Sequence, residues 1–189
     1  LIMNIENQEL PKKTLVEILK KNQKKIIFCV ILLILSVAVI FGFNEYKEKK
    51  NLSISQEFNQ AKILIEKNNK EKALQILDNI ILQNNKFYSP LSLNLITEKK
   101  LIQDTDKILS YFDIIISNSK LEKETKNLYI FKKIIFLGDS IDENVLLENL
   151  KPIIQSNSIW KNTVSKYISK YYSSKKEFNK AKEFSFNNN

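Results

Sequence analysis

Serine and lysine recur three residues apart at Ser117/Lys120, Ser158/Lys161 and Ser173/Lys176, the spacing at which a lysine amine could take the proton of a serine nucleophile in acyl transfer. With 16 serines and 30 lysines in 189 residues, two or three such pairs arise by chance. The Lys-Thr-Gly and Ser-Asp-Asn companions of Ser-Lys enzymes are missing. Two carboxylate pairs, Asp104/Asp106 and Asp142/Glu143, could share a proton or hold a cation. Each stands at a predicted helix start, where negative charge meets the positive end of the helix dipole, so they read as caps. The Asp-rich calcium loop with its central glycine is not present. The chain has no histidine, and its two glycines, Gly42 and Gly138, are too far apart to build a phosphate-cradling loop. Every one of the 30 basic residues is lysine, so there is no guanidinium for bidentate clamping of phosphate or carboxylate. Cys29 is the one cysteine. It forms no intrachain disulfide, and it lies in the most apolar stretch, as a small buried hydrophobe would. These counts predict a protein without catalytic residues, metal or cofactor.

The elements that would carry other functions begin with residues 26–43, IIFCVILLILSVAVIFGF, eighteen uncharged positions of which fourteen are Ile, Leu, Val or Phe. As a helix this stretch is about 27 Å long, close to the hydrocarbon thickness of a bilayer. Its side chains favour insertion by roughly 4 to 8 kcal/mol. A buried core helix would keep a polar stripe, which this segment lacks. It exceeds the apolar region of a cleaved signal, and no small-x-small site follows Phe43, so an uncleaved anchor is expected, with Ile26, Phe28, Leu32, Leu35, Val39 and Phe43 among its lipid-facing residues. Lys12, Lys13, Lys20, Lys21, Lys24 and Lys25 precede the span, while Lys47, Lys49 and Lys50 follow it. This bias places residues 1–25 in the cytoplasm and residues 44–189, in a bacterium, in the periplasm. In the tail, Thr14-Leu-Val-Glu17 forms a capping box for a short amphipathic helix carrying Leu15, Ile18 and Leu19. The formal charge of +9 is spread over interleaved lysines and acids without a basic, aromatic-studded stripe. It reads as a solvated surface and the drift of an AT-rich bacterial genome, with nucleic acid not expected as a partner.

From residue 44 onward the pattern is all-α. Capping signals occur at Ser53/Gln56, Asn68 or Asn69, Ser89-Pro90, Ser119/Glu122, Ser140/Glu143 and Ser174/Glu177. Apolar residues between them keep helical spacing: Ala73, Leu77, Ile80 and Ile81; Ile108, Phe112, Ile115 and Ile116; Trp160, Val164, Tyr167, Ile168 and Tyr171. Eight helices follow, at 52–67, 70–84, 90–103, 105–117, 121–136, 141–155, 158–173 and 175–187. They form four pairs, and the second helix of each pair carries an inward residue at Ala73, Ile108, Val145 and Ala181, near the 34-residue step of tetratricopeptide repeats. A non-repetitive helical bundle is the alternative. Tyr167, Tyr171 and Tyr172 with Trp160 make an aromatic cluster suited to packing or to a partner-binding groove. Tyr171 and Tyr172 point about 100° apart, which predicts that one of them reaches the surface.

A short basic tail, one apolar span and about four divergent helix pairs resemble the ancillary Sec translocon subunit family, membrane-anchored proteins of the bacterial inner membrane with a tetratricopeptide-repeat-like domain. The anchor at 26–43, Lys70-Glu71-Lys72-Ala73-Leu74, and the Trp160 helix followed by Lys176-Glu177-Phe178-Asn179-Lys180-Ala181 carry the likeness. The resemblance implies a right-handed superhelix and a non-catalytic role, with translocon subunits, periplasmic chaperones and emerging polypeptides as partners. The rival readings are a scaffold for another envelope assembly, such as cytochrome maturation or division, and a membrane-tethered hydrolase.

Overall fold

The computed structural model describes Lys20, residues 22–138 and residues 141–185, without the side chains of Ile26 and Cys29. The expected tail helix around Leu15, Ile18 and Leu19, the Ser140 cap and the burial of Cys29 lie outside the described residues. Among these residues the chain forms eight α-helices and no strand. They are α1 (Gln23–Glu66), α2 (Lys70–Leu82), α3 (Tyr88–Glu98), α4 (Thr105–Ser117), α5 (Lys123–Leu137), α6 (Glu143–Ile154), α7 (Lys161–Ser174) and α8 (Phe178–Ser185). The chain divides into two units, Leu1–Ser53 and Ile54–Asn189.

The apolar stretch is helical throughout, and α1 continues past it to Glu66 instead of breaking near residue 44 and restarting at 52. Ser53 therefore sits inside a helix and caps nothing. Residues 44–53 contain no Gly or Pro, the strong helix breakers, and Lys49 pairs with Glu45 one turn away at 2.9 Å. In the first unit Phe28 is 62% exposed and Val39 70%, and Leu32, Leu35 and Phe43 are exposed as well. Ser36 Oγ donates to Leu33 O at 2.7 Å, so the hydroxyl in the apolar stretch is satisfied within its own helix.

In the second unit each helix from α2 onward packs on the next, and α2 also touches α4. One core runs from Ala61 through Leu77, Leu93 and Ile115 to Tyr129, and the other from Phe131 through Leu146, Leu150 and Ile168 to Ala181. Four of the side-chain hydrogen bonds between elements join residues 33 to 36 positions apart in sequence. Tyr111 Oη donates to Asp78 Oδ1, Asn118 Nδ2 to Asn84 O, Ser158 Oγ to Glu124 Oε2 and Trp160 Nε1 to Glu124 O, at separations of 33, 34, 34 and 36 residues. Burial and the bond to the Asp78 carboxylate push the Tyr111 hydroxyl up to about 12.

The turn inside each pair has a common design. A residue with positive φ (Asn68, Lys100, Gly138 or Lys176) ends the first helix. At three of these turns paired bonds such as Asn69 N→Leu64 O with Asn68 N→Ile65 O satisfy the last carbonyls; the same pattern recurs at Leu101/Lys100 and Glu177/Lys176. The second helix then opens on Asn69, Asp104 or Asp142 as N-cap, or follows Glu177. The residue four positions later closes the first backbone bond and points inward: Ala73, Ile108, Leu146 and Ala181. The third member corrects the expected Val145, which is 42% exposed, while Leu146 is wholly buried. The helix is registered by its Asp142 cap, and the apolar pair Val145-Leu146 alone does not say which residue faces in.

Several caps also move. At α3 the cap signal is Asn85, whose Oδ1 accepts from Phe87 N and Tyr88 N, so the helix begins before Ser89-Pro90. Ser89 Oγ instead donates to Ile80 O and accepts from Asn85 N, tying α3 to the end of α2. Ser119 caps nothing: Asn118 Oδ1 accepts from Lys120 N, and the N-cap of α5 is Glu122, without a side-chain cap bond. Ser174 is the last residue of α7 and donates back to Tyr171 O.

Candidate partner-binding surface

The three tyrosines singled out by sequence do not form an open patch. Tyr171 is 3% exposed and Tyr172 1%, against the expectation that one of them reaches solvent. The expectation assumed that α7 has one covered face, but α6 and α8 both pack on it. Tyr171 Oη donates to Ile141 O at 3.2 Å and accepts from Lys175. Tyr172 stacks on Phe184 of α8 at 5.7 Å and donates to Glu143 Oε1 at 2.9 Å. Tyr167 is half-buried, edge-on to Phe131 at 5.4 Å. Lys180 Nζ reaches the same Glu143 oxygen at 2.8 Å and Glu177 at 2.8 Å. Hydrogen bonds from Lys180 and Tyr172 hold the Glu143 carboxyl below its usual range, while burial and the bond to Glu143 raise the Tyr172 hydroxyl. The cluster is a clasp for the last helix.

The carboxylates read as caps divide. Asp104 accepts from Lys107 N at 3.0 Å, and Asp142 from Asn144 N at 2.8 Å, both as N-caps. Glu143 joins the α8 clasp. The serines of the Ser-x-x-Lys triplets spend their hydroxyls elsewhere: Ser117 on Ile114 O, Ser158 on Glu124 Oε2 and Ser173 on Ser169 O. Among the described residues no group of three or more His, Cys, Asp or Glu side chains converges as a metal site would.

The open surface lies along the first helices α3 and α5. Two grooves line up between them. One, of 520 Å³, is walled by Asn94, Glu98, Phe112, Lys132, Ile135 and Phe136. The other, of 350 Å³, lies toward the N-terminal ends of the same helices, against Phe87, Leu91, Leu121, Leu128 and Tyr129. Residues 87, 91, 94 and 98 of one wall, and 125, 128, 132 and 135 of the other, follow helical i,i+3/i+4 steps, so each wall is a single helix face. Phe87, Leu91 and Ile135 are exposed in it. Tyr129 Oη donates to Pro90 O at 2.8 Å and fixes α5 to α3 between the grooves. Burial pushes this hydroxyl up to about 12, so it stays a neutral donor through the physiological range.

Sequence reasoning singled out the tyrosines of α7 and named no residue of α3 or α5 as partner-binding. Lys132 is one lysine among thirty, and nothing in its neighbours' types marks it.

No family model matches this chain, and no characterised relative and no solved structure is similar to it.

Proposed function

We propose that the chain is a single-pass membrane protein whose helix pairs form a right-handed, tetratricopeptide-repeat-like superhelix that binds other proteins without catalysing a reaction. The observation that carries this reading is the contrast within α1. Among the described residues, its apolar side chains from Ile27 to Phe43 are exposed, whereas the second unit holds two buried apolar cores. A lipid core covers such a stretch and leaves the remainder in water. The repeat reading is supported by the pair-to-pair hydrogen bonds and by the recurring turn. In solenoids each unit contacts its neighbours only, and the first helices supply the binding face, where the α3/α5 grooves lie.

The lysine bias puts residues 44–189 in the periplasm of a bacterium. Translocon subunits, periplasmic chaperones and emerging polypeptides are then the partners, as the likeness to the ancillary Sec translocon subunits implies. Tethering raises the local concentration of the binding surface beside its partner. Photo-crosslinking in cells from exposed α3 and α5 positions, with captured proteins read by mass spectrometry, tests the reading. Envelope and secreted proteins are expected. Recovery of cytoplasmic proteins alone, or release of the chain from membranes by carbonate, overturns it.

A further inference from the structure

Lys132 stands apart from the other groove residues. It is half-buried on α5, its Nζ donates to Asn94 Oδ1 at 2.9 Å, and it lies 5.2 Å over the Tyr129 ring. None of the ion pairs among the described residues includes it; Glu98, on the same groove, pairs with its neighbour Lys99 at 2.9 Å. Burial lowers the Lys132 pKa, the direction expected of a cation that has lost water without gaining an anion. An ammonium has three donors, and the contacts above use one of them. Thr97, on the same wall, spends its hydroxyl on Leu93 O and Asn94 O, and Tyr129 spends its own on Pro90 O. The half-buried charge of the seam without an anion is therefore Lys132, between apolar walls, while the exposed Lys86, Lys120 and Glu122 stand in water at the second groove. On one side of it stand Phe136 and the exposed Ile135, and on the other, past Tyr129, the exposed Leu91 and Phe87.

We propose that this seam binds an internal segment of another protein in extended form, with an Asp or Glu side chain on Lys132 Nζ and apolar side chains on either side of that residue covering Ile135 and Leu91. Charge complementarity selects the acid: a carboxylate supplies the counter-ion the fold omits, whereas a basic segment adds a second uncompensated cation. Lys132 stands within the first groove, and the apolar surface continues past Tyr129 into the second, which selects a through-running chain over a chain end. The assignment rests on the reading of this unit as a protein-binding module and specifies its ligand.

The test uses the full-length protein in detergent, immobilised, with three decamer libraries blocked at both ends. The libraries are rich in Leu and Phe and carry a central Glu, Gln or Lys. Wild type is expected to retain the Glu library about tenfold over the Gln library. Lys132→Glu transfers the preference to the Lys library, and Lys132→Met, which keeps the aliphatic stem, abolishes it. Equal retention of the three libraries, retention of none, or a Glu preference surviving in both variants overturns the proposal. So does retention of a Gln library with a free C-terminal carboxylate in place of the Glu library. Crosslinked partners obtained alongside indifferent libraries remove the groove assignment and leave the interaction module standing; no crosslinked protein at all removes the module itself.

Discussion

The outer helix pairs and the middle ones solve the same packing problem differently. In the outer pairs the inward residue of the second helix is Ala73 or Ala181, and the turn is short: Asn68 is followed at once by the cap Asn69, and Lys176 by Glu177. In the middle pairs the inward residue is Ile108 or Leu146, and the turn takes three more residues, from Lys100 to the cap Asp104 and from Gly138 to Asp142. The first helices follow suit. Counting seven back from the positive-φ residue gives Ala61 and Ser169 in the outer pairs but Leu93 and Phe131 in the middle ones. Small side chains let two helix backbones approach and a tight turn join them, whereas large ones hold the helices apart and need a longer connection. The hydrogen-bonded corner recurs at three of the four turns while inward residue and turn length vary together, and the α3/α5 grooves lie among the helices with large inward residues and longer turns.

The sharpest way to break this comparison is at the corrected register of α6. Leu146→Ala leaves a cavity and is expected to cost about 2–5 kcal/mol, against less than about 0.5 kcal/mol for Val145→Ala. Trp160, the one tryptophan, reports urea unfolding of the second unit in the detergent-solubilised chain. A larger loss from Val145→Ala would return the inward position to the earlier residue. Next in size, Ala73→Leu adds a large side chain at a wholly buried position and is expected to cost about 1–3 kcal/mol by the same fluorescence assay. Were it neutral, the outer pairs would have slack that the short turns do not suggest.

Gly138 has φ +67° and ψ −156°, a region reserved for glycine, so Gly138→Ala is expected to destabilise by about 1–3 kcal/mol. Lys100→Gly, at φ +48°, relieves strain and is expected to be neutral or slightly stabilising in thermal melts. Asp142→Ala removes a cap and costs about 1 kcal/mol in the same melts.

The smallest effect is at the α8 clasp. The Glu143 carboxyl is held below its ordinary value, so its contribution is present above the unfolded carboxylate range and is lost as pH falls through the lowered folded value. Melting curves of wild type and Glu143→Gln are therefore expected to differ near neutral pH and to converge in acid. A gap that widened in acid would reverse the sign of that linkage.

Several elements were legible because their causes are local. The faces Ala73-Leu77-Ile80-Ile81 and Ile108-Phe112-Ile115 follow from 3.6-residue spacing. The Asp104 and Asp142 caps follow from an acid just before an apolar run. Serines were poor guides. Ser53, Ser89, Ser119 and Ser174 each satisfy the capping pattern and none caps a helix, because Asn85 and Asn118 intervene at two of the sites and the helix runs on through Ser53 and Ser174. The α3/α5 surface was not legible, since its argument depends on which acid is already engaged beside Lys132.

By itself, the sequence determined that the chain is helical and that residues 26–43 lie in a helix long and apolar enough to cross a membrane. Those features depend on spacing and composition within a few turns of backbone. Tertiary structure alone decided that Tyr171 and Tyr172 are both covered, that Leu146 and not Val145 faces in, and that Lys132 has no carboxylate partner among the described residues. Each of these depends on which neighbour covers a given helix face, and that neighbour comes from outside that helix, more than ten residues away in the chain.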